Sequence, residues 1–478
     1  MKILYVASEA LPFAASGGLG DVIGSLPPAV KEQLGDGSDV RVVIPMYPSI
    51  KERYLKDSVL VNEIYVSLSW RRQYLGIWSY LKDGVVYYFL DNEFYFKRHQ
   101  LYGEYDDGER FAFFCKAVIE LMQAVGFFPD ILHANDWQSA LSVIYLKRKY
   151  GLIPGYDRIK TLYTIHNIEY QGIYDMSILG DVFDLSDRDR EVVEFNRDIN
   201  LTKGAITVAD RVSTVSEQYA KELTDPYYAH GLDRVILSAK DKMCGIVNGI
   251  DVSYYNPQTD PQIKYHYSVK SLVGKTKNKK LLQERCGLEQ NTDIPIIAMV
   301  SRLVTHKGFD LVCRVIEDML QNDNVQFVLL GTGDSTIENF FKALRGRYPG
   351  KICAMIEFNK ELSKLVYAGS DMFLMPSKSE PCGLSQMIAS RYGSVPIVRE
   401  TGGLYDTIRA YNKYDKTGNG FSFANYNAHE MMGVIREALS LYFDDRTAFR
   451  QLVKQVMSVD FSWNVSAKKY IELYRSML

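Results

Sequence analysis

The feature that most limits how this chain can fold is the regular return of short, almost wholly apolar runs, separated by stretches whose apolar residues recur at three and four. KILYVAS, VRVVIPMY, VVYYFLD, DILHAND, KTLYTIHN, RVSTVS and CGIVNG fill the first half, with segments such as ERFAFFCKAVIELMQAVG between several of them. A run apolar on both faces suits a strand buried between helices, and an apolar stripe of period 3.6 suits the helix that covers it. The alternation predicts α/β architecture with a doubly wound parallel sheet. Shorter alternating runs in VLVNEIYVSLSWRRQYLGIWSYLKDGVVYYFL predict an antiparallel excursion from that sheet.

A second series follows: PIIAMVSRL, VQFVLLGTG, ICAMIEF, DMFLMPS, VPIVRE and GFSF. Between the two lies VSYYNPQTDPQIKYHYSVKSLVGKTKNKK, polar, tyrosine-rich, basic and without periodicity, which reads as an interdomain connection. At 478 residues the chain exceeds what one core organises. We therefore expect two Rossmann-like domains facing one another, residues 1–245 and 246–458. A C-terminal amphipathic helix within 459–478 then packs back on either of them. Ligands of open α/β sheets sit beyond the carboxyl ends of the strands, so the cleft between the domains is the expected site.

Composition narrows the function. The chain is 47% apolar and 24% charged with a formal net charge of −2, which gives no global pull toward nucleic acid or anionic lipid. No apolar run reaches the roughly 18 to 20 residues of a membrane span. The six cysteines are widely separated, with neither a CxxC pair nor a secreted disulfide pattern, so the expected home is a reducing cytoplasm. The opening MKILYVASEALPF carries Glu9 and reads as a buried strand rather than a signal segment.

Polar residues at the ends of the apolar runs are the candidates for chemistry: Glu9, Asp136, Trp137, His166, Asn167 and Asn248 in the first half, Arg302, Lys307 and Glu380 in the second. In SRLVTHKGFDLV, Arg302 and Lys307 stand between a strand and a helix beginning near Gly308. Two cations beside a helix N-terminus make a phosphate cradle, unless they are merely a solvated surface pair. In PSKSEPCGLSQM, Glu380 precedes Cys382 and Gly383. It either accepts sugar hydroxyls or only complements a helix dipole. Two glycine turns, Gly17-Gly18 in AASGGLGDV and Gly402-Gly403 after Thr401 in RETGGLYDTI, offer backbone amides to an anion or to hydroxyls. His166 is a base, a sugar ligand or a satisfied core histidine. Asp136 with Trp137 suits carbohydrate recognition, or else is an N-cap beside a core tryptophan. His133, Asp136 and His166 match no zinc spacing, so no metal is assigned. GTGDST lacks the third glycine and acidic partner of a dinucleotide fingerprint, and VGKT lacks the upstream glycine of a P-loop.

In order and spacing, SEALPFAASGGLGDV, HANDWQSAL, TIHNIEYQG, VNGID, SRLVTHKGFDL, PSKSEPCGLSQM and TGGLYDTI resemble the bacterial glycogen synthase and plant starch synthase family over almost the whole chain. The resemblance implies the GT-B fold, two Rossmann-like domains with a deep cleft. It also implies transfer of glucose from ADP-glucose to the nonreducing 4-hydroxyl of an α-1,4-glucan, with retention and with no metal or other cofactor for the chemistry. Matched position by position, it implies a catalytic and donor-binding role for Arg302, Lys307 and Glu380, and places His166 against the donor glucose. Gly17, Gly18, Cys382, Gly383, Thr401, Gly402 and Gly403 then line the donor. Glu9, Asp136, Trp137, Asn167 and Asn248 line the sugar and acceptor side.

One position departs from the pattern. The family turn reads lysine-threonine-glycine-glycine-leucine, whereas this chain reads Ala15-Ser16-Gly17-Gly18-Leu19. A lost charge-assisted hydrogen bond weakens binding or rate by roughly one to two decades. The leading expectation is an active enzyme. The alternatives are a UDP-glucose donor, or a weakened or non-catalytic paralogue that binds glucan.

Overall fold

The apolar runs become strands. In the computed structural model, which describes every residue from Met1 to Leu478, two compact units divide the chain: Met1–Gly249 together with Trp463–Leu478, and Ile250–Ser462.

The first unit holds β1 (Lys2–Val6), β2 (Asp39–Pro45), β3 (Val59–Leu68), β4 (Arg71–Lys82), β5 (Val85–Asp91), β6 (Ile131–Asn135), β7 (Lys160–Ile165), β8 (Ile173–Asp175), β9 (Glu194–Phe195), β10 (Asp198–Asn200), β11 (Arg211–Thr214) and β12 (Met243–Gly245). Nine of these form one sheet in the order β12-β11-β7-β6-β1-β2-β5-β4-β3. Its members are parallel up to β5, and β4 and β3 then add antiparallel, as the shorter alternating runs predicted. The small antiparallel sheet β8-β10-β9 has no counterpart in the sequence reading, because strands of two or three residues are too short to show a period.

The C-terminal helix Trp463–Met477 packs on Gly18–Leu34 of the first unit, where Gln33 Nε2 donates to the Asn464 carbonyl at 2.8 Å. Under it runs a buried polar chain. The Tyr474 hydroxyl bonds Tyr5 Oη at 2.8 Å and meets His133 Nδ1 at 2.8 Å, while His133 Nε2 meets Thr164 Oγ1 at 2.6 Å. With both ring nitrogens used and water excluded, burial drives the His133 pKa far down, and the imidazole is a neutral core group.

The second unit is a six-stranded parallel sheet of β13 (Ile296–Val300), β14 (Gln326–Leu330), β15 (Ile352–Met355), β16 (Met372–Met375), β17 (Val395–Arg399) and β18 (Phe421–Phe423), ordered β15-β14-β13-β16-β17-β18. The segment read as an aperiodic connection is partly helical, over Val273–Cys286. Its inward face carries Lys275, Asn278, Lys279 and Gln283 beside Leu282 and Cys286, which explains why no apolar period was visible. Lys275 Nζ donates to the carbonyls of Ala368, Ser370 and Tyr392 at 3.1, 2.8 and 3.0 Å. Lys279 pairs with Asp371 at 2.7 Å. Burial lowers the Lys275 pKa to about 7. No helix in the chain is long and apolar enough to cross a membrane.

Both sheets reverse direction at one point. In the first, β1 has β2 on one side and β6 on the other, and in the second β13 has β14 on one side and β16 on the other. Crossovers on opposite faces leave a crevice at the carboxyl ends of such a strand pair. The loops after β1 and β6, and those after β13 and β16, are therefore where side chains can converge.

Candidate active site

In the second unit the two loops at the reversal touch. Gly308 follows the turn Thr305–Lys307 with φ of 81°, and a Cβ there would lie 2.1 Å from the carbonyl oxygen of Pro376. Only glycine permits that approach. The amide of Lys378 donates to the His306 carbonyl at 2.8 Å, tying the loops together. Lys307 Nζ consequently sits 2.6 Å from Glu380 Oε2, across 73 positions of sequence, and the Ser377 hydroxyl donates to the same carboxylate oxygen at 3.0 Å. The two side chains are only 19% and 9% exposed, so the pair is shielded enough for the charges to matter. A cavity of about 240 Å³ opens here, lined by Arg302, Lys307, Ser377, Glu380, Gly383 and Ser385. Arg302 is exposed and brings the second cation.

This placement gives Glu380 a partner other than the helix that follows it. The helix after it begins at Ser385, so the carboxylate does not cap it. It orients Lys307 and partly offsets its charge, leaving Arg302 and the pair with a net charge near +1. Gly383, at φ 71°, turns the chain in the left-handed region, and a Cβ there would meet Gln386 Oε1 at 2.6 Å.

The second glycine turn supports this loop from behind. A Cβ on Gly402 would lie 2.0 Å from the Glu380 carbonyl oxygen and one on Gly403 2.1 Å from that of Cys382. The Gly403 amide donates to the carbonyls of Glu380 and Pro381, both at 3.1 Å. Thr401 is fully buried and Cys382 is 5% exposed. Cys382, Thr401, Gly402 and Gly403 are thus gathered around Glu380, and the Gly403 amide serves the protein's own backbone.

The first glycine turn also meets an internal partner. Glu9, 3% exposed, accepts the amides of Ser16 and Gly17, the latter at 3.3 Å, and the Ser16 hydroxyl at 3.2 Å. Burial raises the Glu9 pKa and these donors oppose the rise. The Gly17 amide is therefore turned toward a carboxyl group of this chain. Ala15 is exposed, and its Cβ lies 2.4 Å from where a Cβ on Gly20 would stand, so Gly20 makes room for it. Tyr102, to which the sequence reading gave no role, bonds Ser8 Oγ at 2.7 Å and also reaches Glu9.

After β6 the backbone of Asp136 adopts φ 58° and ψ 178°, a conformation almost confined to glycine. Its side chain makes no cap for the following helix Trp137–Tyr145. The carboxylate instead crosses to the end of β7, accepting the amide of His166 at 2.7 Å and that of Asn167. Burial pushes its pKa up to about 7, opposed by those two amides, while Glu9 adds repulsion. His166 Nε2 lies 3.0 Å from Asn135 Oδ1. The Asn135 amide group donates to the carbonyls of Val6 and His133 at 3.2 and 3.1 Å, which leaves its oxygen toward the histidine. Burial lowers the His166 pKa to about 3, so the ring is neutral, donates from Nε2 and keeps a lone pair on Nδ1.

Trp137 is 9% exposed and packs with Phe111, ring centroids 5.3 Å apart and near perpendicular, and against Gly172, where a Cβ would come within 2.7 Å of the indole. That is a core environment and leaves little ring face for a sugar. Asn167 closes a local turn on the Glu169 amide at 3.0 Å. Asn248 follows β12, and its Oδ1 is buried without a hydrogen-bond partner. Asn135 and Ser377 are the polar partners that sequence reading passed over. Both sit directly beside residues it did single out.

The starch synthase catalytic domain family matches residues 2–238 and the glycosyl transferases group 1 family matches residues 283–456. The glycogen synthase of Bacillus cereus is 47% identical over 480 aligned residues, covering 100% of both chains. That of Clostridium acetobutylicum is 47% identical over 481, also covering both completely. The structure of the catalytic domain of starch synthase IV from Arabidopsis thaliana, bound to ADP and acarbose, superposes with a TM-score of 0.89 at 34% identity and covers 99% of each chain. By sequence over its whole length, by both domain families and by fold, this chain belongs to the bacterial glycogen synthase and plant starch synthase family of GT-B hexosyltransferases.

Proposed function

We propose that this chain extends α-1,4-glucan by transferring glucose from ADP-glucose to the nonreducing 4-hydroxyl, with retention of configuration. The observation that carries the proposal is the Lys307–Glu380 pair, at 2.6 Å, in a cavity that Arg302 also lines. When ADP departs, negative charge builds on its β-phosphate. Cations already held in place stabilise that charge more in the transition state than in the ground state. Lys307, oriented by Glu380, and Arg302 are placed for this task and supply it without a divalent ion. Retention brings the acceptor to the face the phosphate leaves, so the leaving phosphate takes the acceptor proton. The neutral His166, with its backbone fixed by Asp136, is the group of the first unit proposed to lie against the donor glucose and to share the charge of the developing glucosyl cation.

The glucan-acceptor role of the first unit is supported by the match of residues 2–238 to the starch synthase catalytic domain. The six free cysteines fit a reducing cytoplasm as the place of work. The test is incorporation of labelled glucose into glycogen from ADP-glucose and, separately, UDP-glucose, with and without a chelator. Transfer from ADP-glucose that persists in the chelator supports the proposal. Transfer from UDP-glucose alone reassigns the donor, and no transfer from either sinks it.

A further inference from the structure

Arg399 was not singled out by the sequence, and it does not line the cavity, yet it reaches both loops that form the Lys307–Glu380 pair. It is the last residue of β17, directly beside β16, and is only 8% exposed. Its Nη1 donates to the carbonyl of Lys378 at 2.7 Å and lies 3.5 Å from that of Ser377. Turning these two carbonyls toward Arg399 fixes the backbone from which Ser377 Oγ and Glu380 reach Lys307.

The second connection runs through an aromatic ring. The guanidinium carbon of Arg399 lies 5.6 Å from the ring centroid of Tyr426. The Tyr426 hydroxyl bonds Asp310 Oδ1 and lies 3.5 Å from the carbonyl oxygen of Thr305. Thr305 opens the turn that ends in Lys307, and Asp310 stands in the first turn of the helix that follows. One cation therefore touches the Glu380 loop directly and the Lys307 turn through a single intermediary. A guanidinium suits this place because Nη1 meets the carbonyl of Lys378 while the rest of the group lies over the Tyr426 ring, a reach that a lysine ammonium matches only in part.

We infer that Arg399 is a positioning residue for the proposed transfer, holding the Lys307 and Glu380 loops in register without contacting the reacting groups. The inference rests on the function proposed above. Misplacement of a preorganised charge by about 1 Å costs on the order of a hundredfold in rate. Binding of ADP should suffer much less, because Arg302 and Lys307 remain.

The test uses the full chain with Arg399→Met and Arg399→Lys. It measures ADP affinity by titration calorimetry and kcat with saturating ADP-glucose and glycogen. We expect kcat of Arg399→Met to fall about a hundredfold while ADP affinity stays within roughly threefold, and Arg399→Lys to recover about tenfold. Tyr426→Phe, which keeps Arg399 but cuts the link to Thr305 and Asp310, should lose about threefold in kcat. Equal losses in ADP affinity and kcat, or a lysine variant no better than the methionine one, would overturn the inference. If Arg399→Met does not fold, an unchanged kcat in Tyr426→Phe overturns it instead. Failure of the wild-type chain to transfer glucose from any donor is a separate result and strikes the function on which the inference rests.

Discussion

At equivalent reversals of strand order, the two sheets carry loops of opposite character. After β13 and β16 a lysine, an arginine and a glutamate converge on a cavity, with the lysine and glutamate in direct contact. After β1 and β6 two carboxylates, Glu9 and Asp136, turn inward and accept backbone amides of the glycine turn and of His166. The same topology thus gathers two cations beside a cavity in one unit and buried carboxyl groups that serve the backbone in the other. A sheet reversal fixes where side chains meet. The residues at the strand ends decide whether they face a substrate or the protein's own backbone.

Breaking the cationic loop should have the largest effect. Removing Glu380 frees Lys307 and leaves the Ser377 hydroxyl without its acceptor, so Glu380→Ala should lower kcat by roughly a thousandfold or more in the incorporation assay. A loss below tenfold would show that the pair does not carry the chemistry.

The anionic side should respond first in stability. Asp136→Ala strands two amides, at a cost of about 1–3 kcal/mol for each that stays buried, and retains the unfavourable φ. Asp136→Gly strands the same amides but accepts φ 58° freely. The glycine variant should therefore be the more stable by about 1–2 kcal/mol in chemical denaturation. Equal stabilities would show that the backbone at Asp136 is not strained.

A milder change sharpens the contrast by adding a cation where the family has one. Ala15→Lys should raise turnover with ADP-glucose by up to about tenfold, the worth of one charge-assisted hydrogen bond. Unchanged kinetics would mean that the arginine and lysine of the second unit already suffice.

The smallest effect is a cancellation. The folded-state pKa of His166 falls from 6.5 to about 3, so between those values the unfolded chain binds the extra proton and stability is lost as pH falls. That of Asp136 rises from 3.8 to about 7, so over that range the folded chain binds the extra proton and stability is lost as pH rises. The two slopes oppose one another between about pH 4 and 6.5, and their sum is small. His166→Gln removes one of them, and the stability of that variant should decline more steeply with rising pH than the wild type. A parallel pH profile would contradict these ionisation states.

Much of the fold was legible because strands buried on both faces must be apolar and their covering helices must be amphipathic. That rule located β1, β6, β7 and every strand of the second sheet. It failed for Val273–Cys286, where Lys275 and Lys279 stand on the inward face and find carbonyl and carboxylate partners. At the site, Arg302, Lys307 and Glu380 were visible as polar residues at strand ends. Arg399 was not, since an arginine at the end of an apolar run looks like any other until its carbonyl partners are known. Trp137 stayed open in the sequence, because an aromatic beside an acid reads the same whether it faces a sugar or packs on Phe111 and Gly172, as it does here.

By itself the sequence determined the α/β alternation in two series, the residues at the strand ends and the family. Each of these is carried by local periodicity or by motifs a few residues long. Only the tertiary structure decided that the first glycine turn is held by Glu9, that Asp136 clamps the backbone of His166, and that Lys307 and Glu380 touch across 73 positions. The last two join residues 30 and 73 positions apart, fixed by strand order and close backbone approach, and the first depends on how the chain turns back over eight positions after β1. No local pattern of residues encodes such distances.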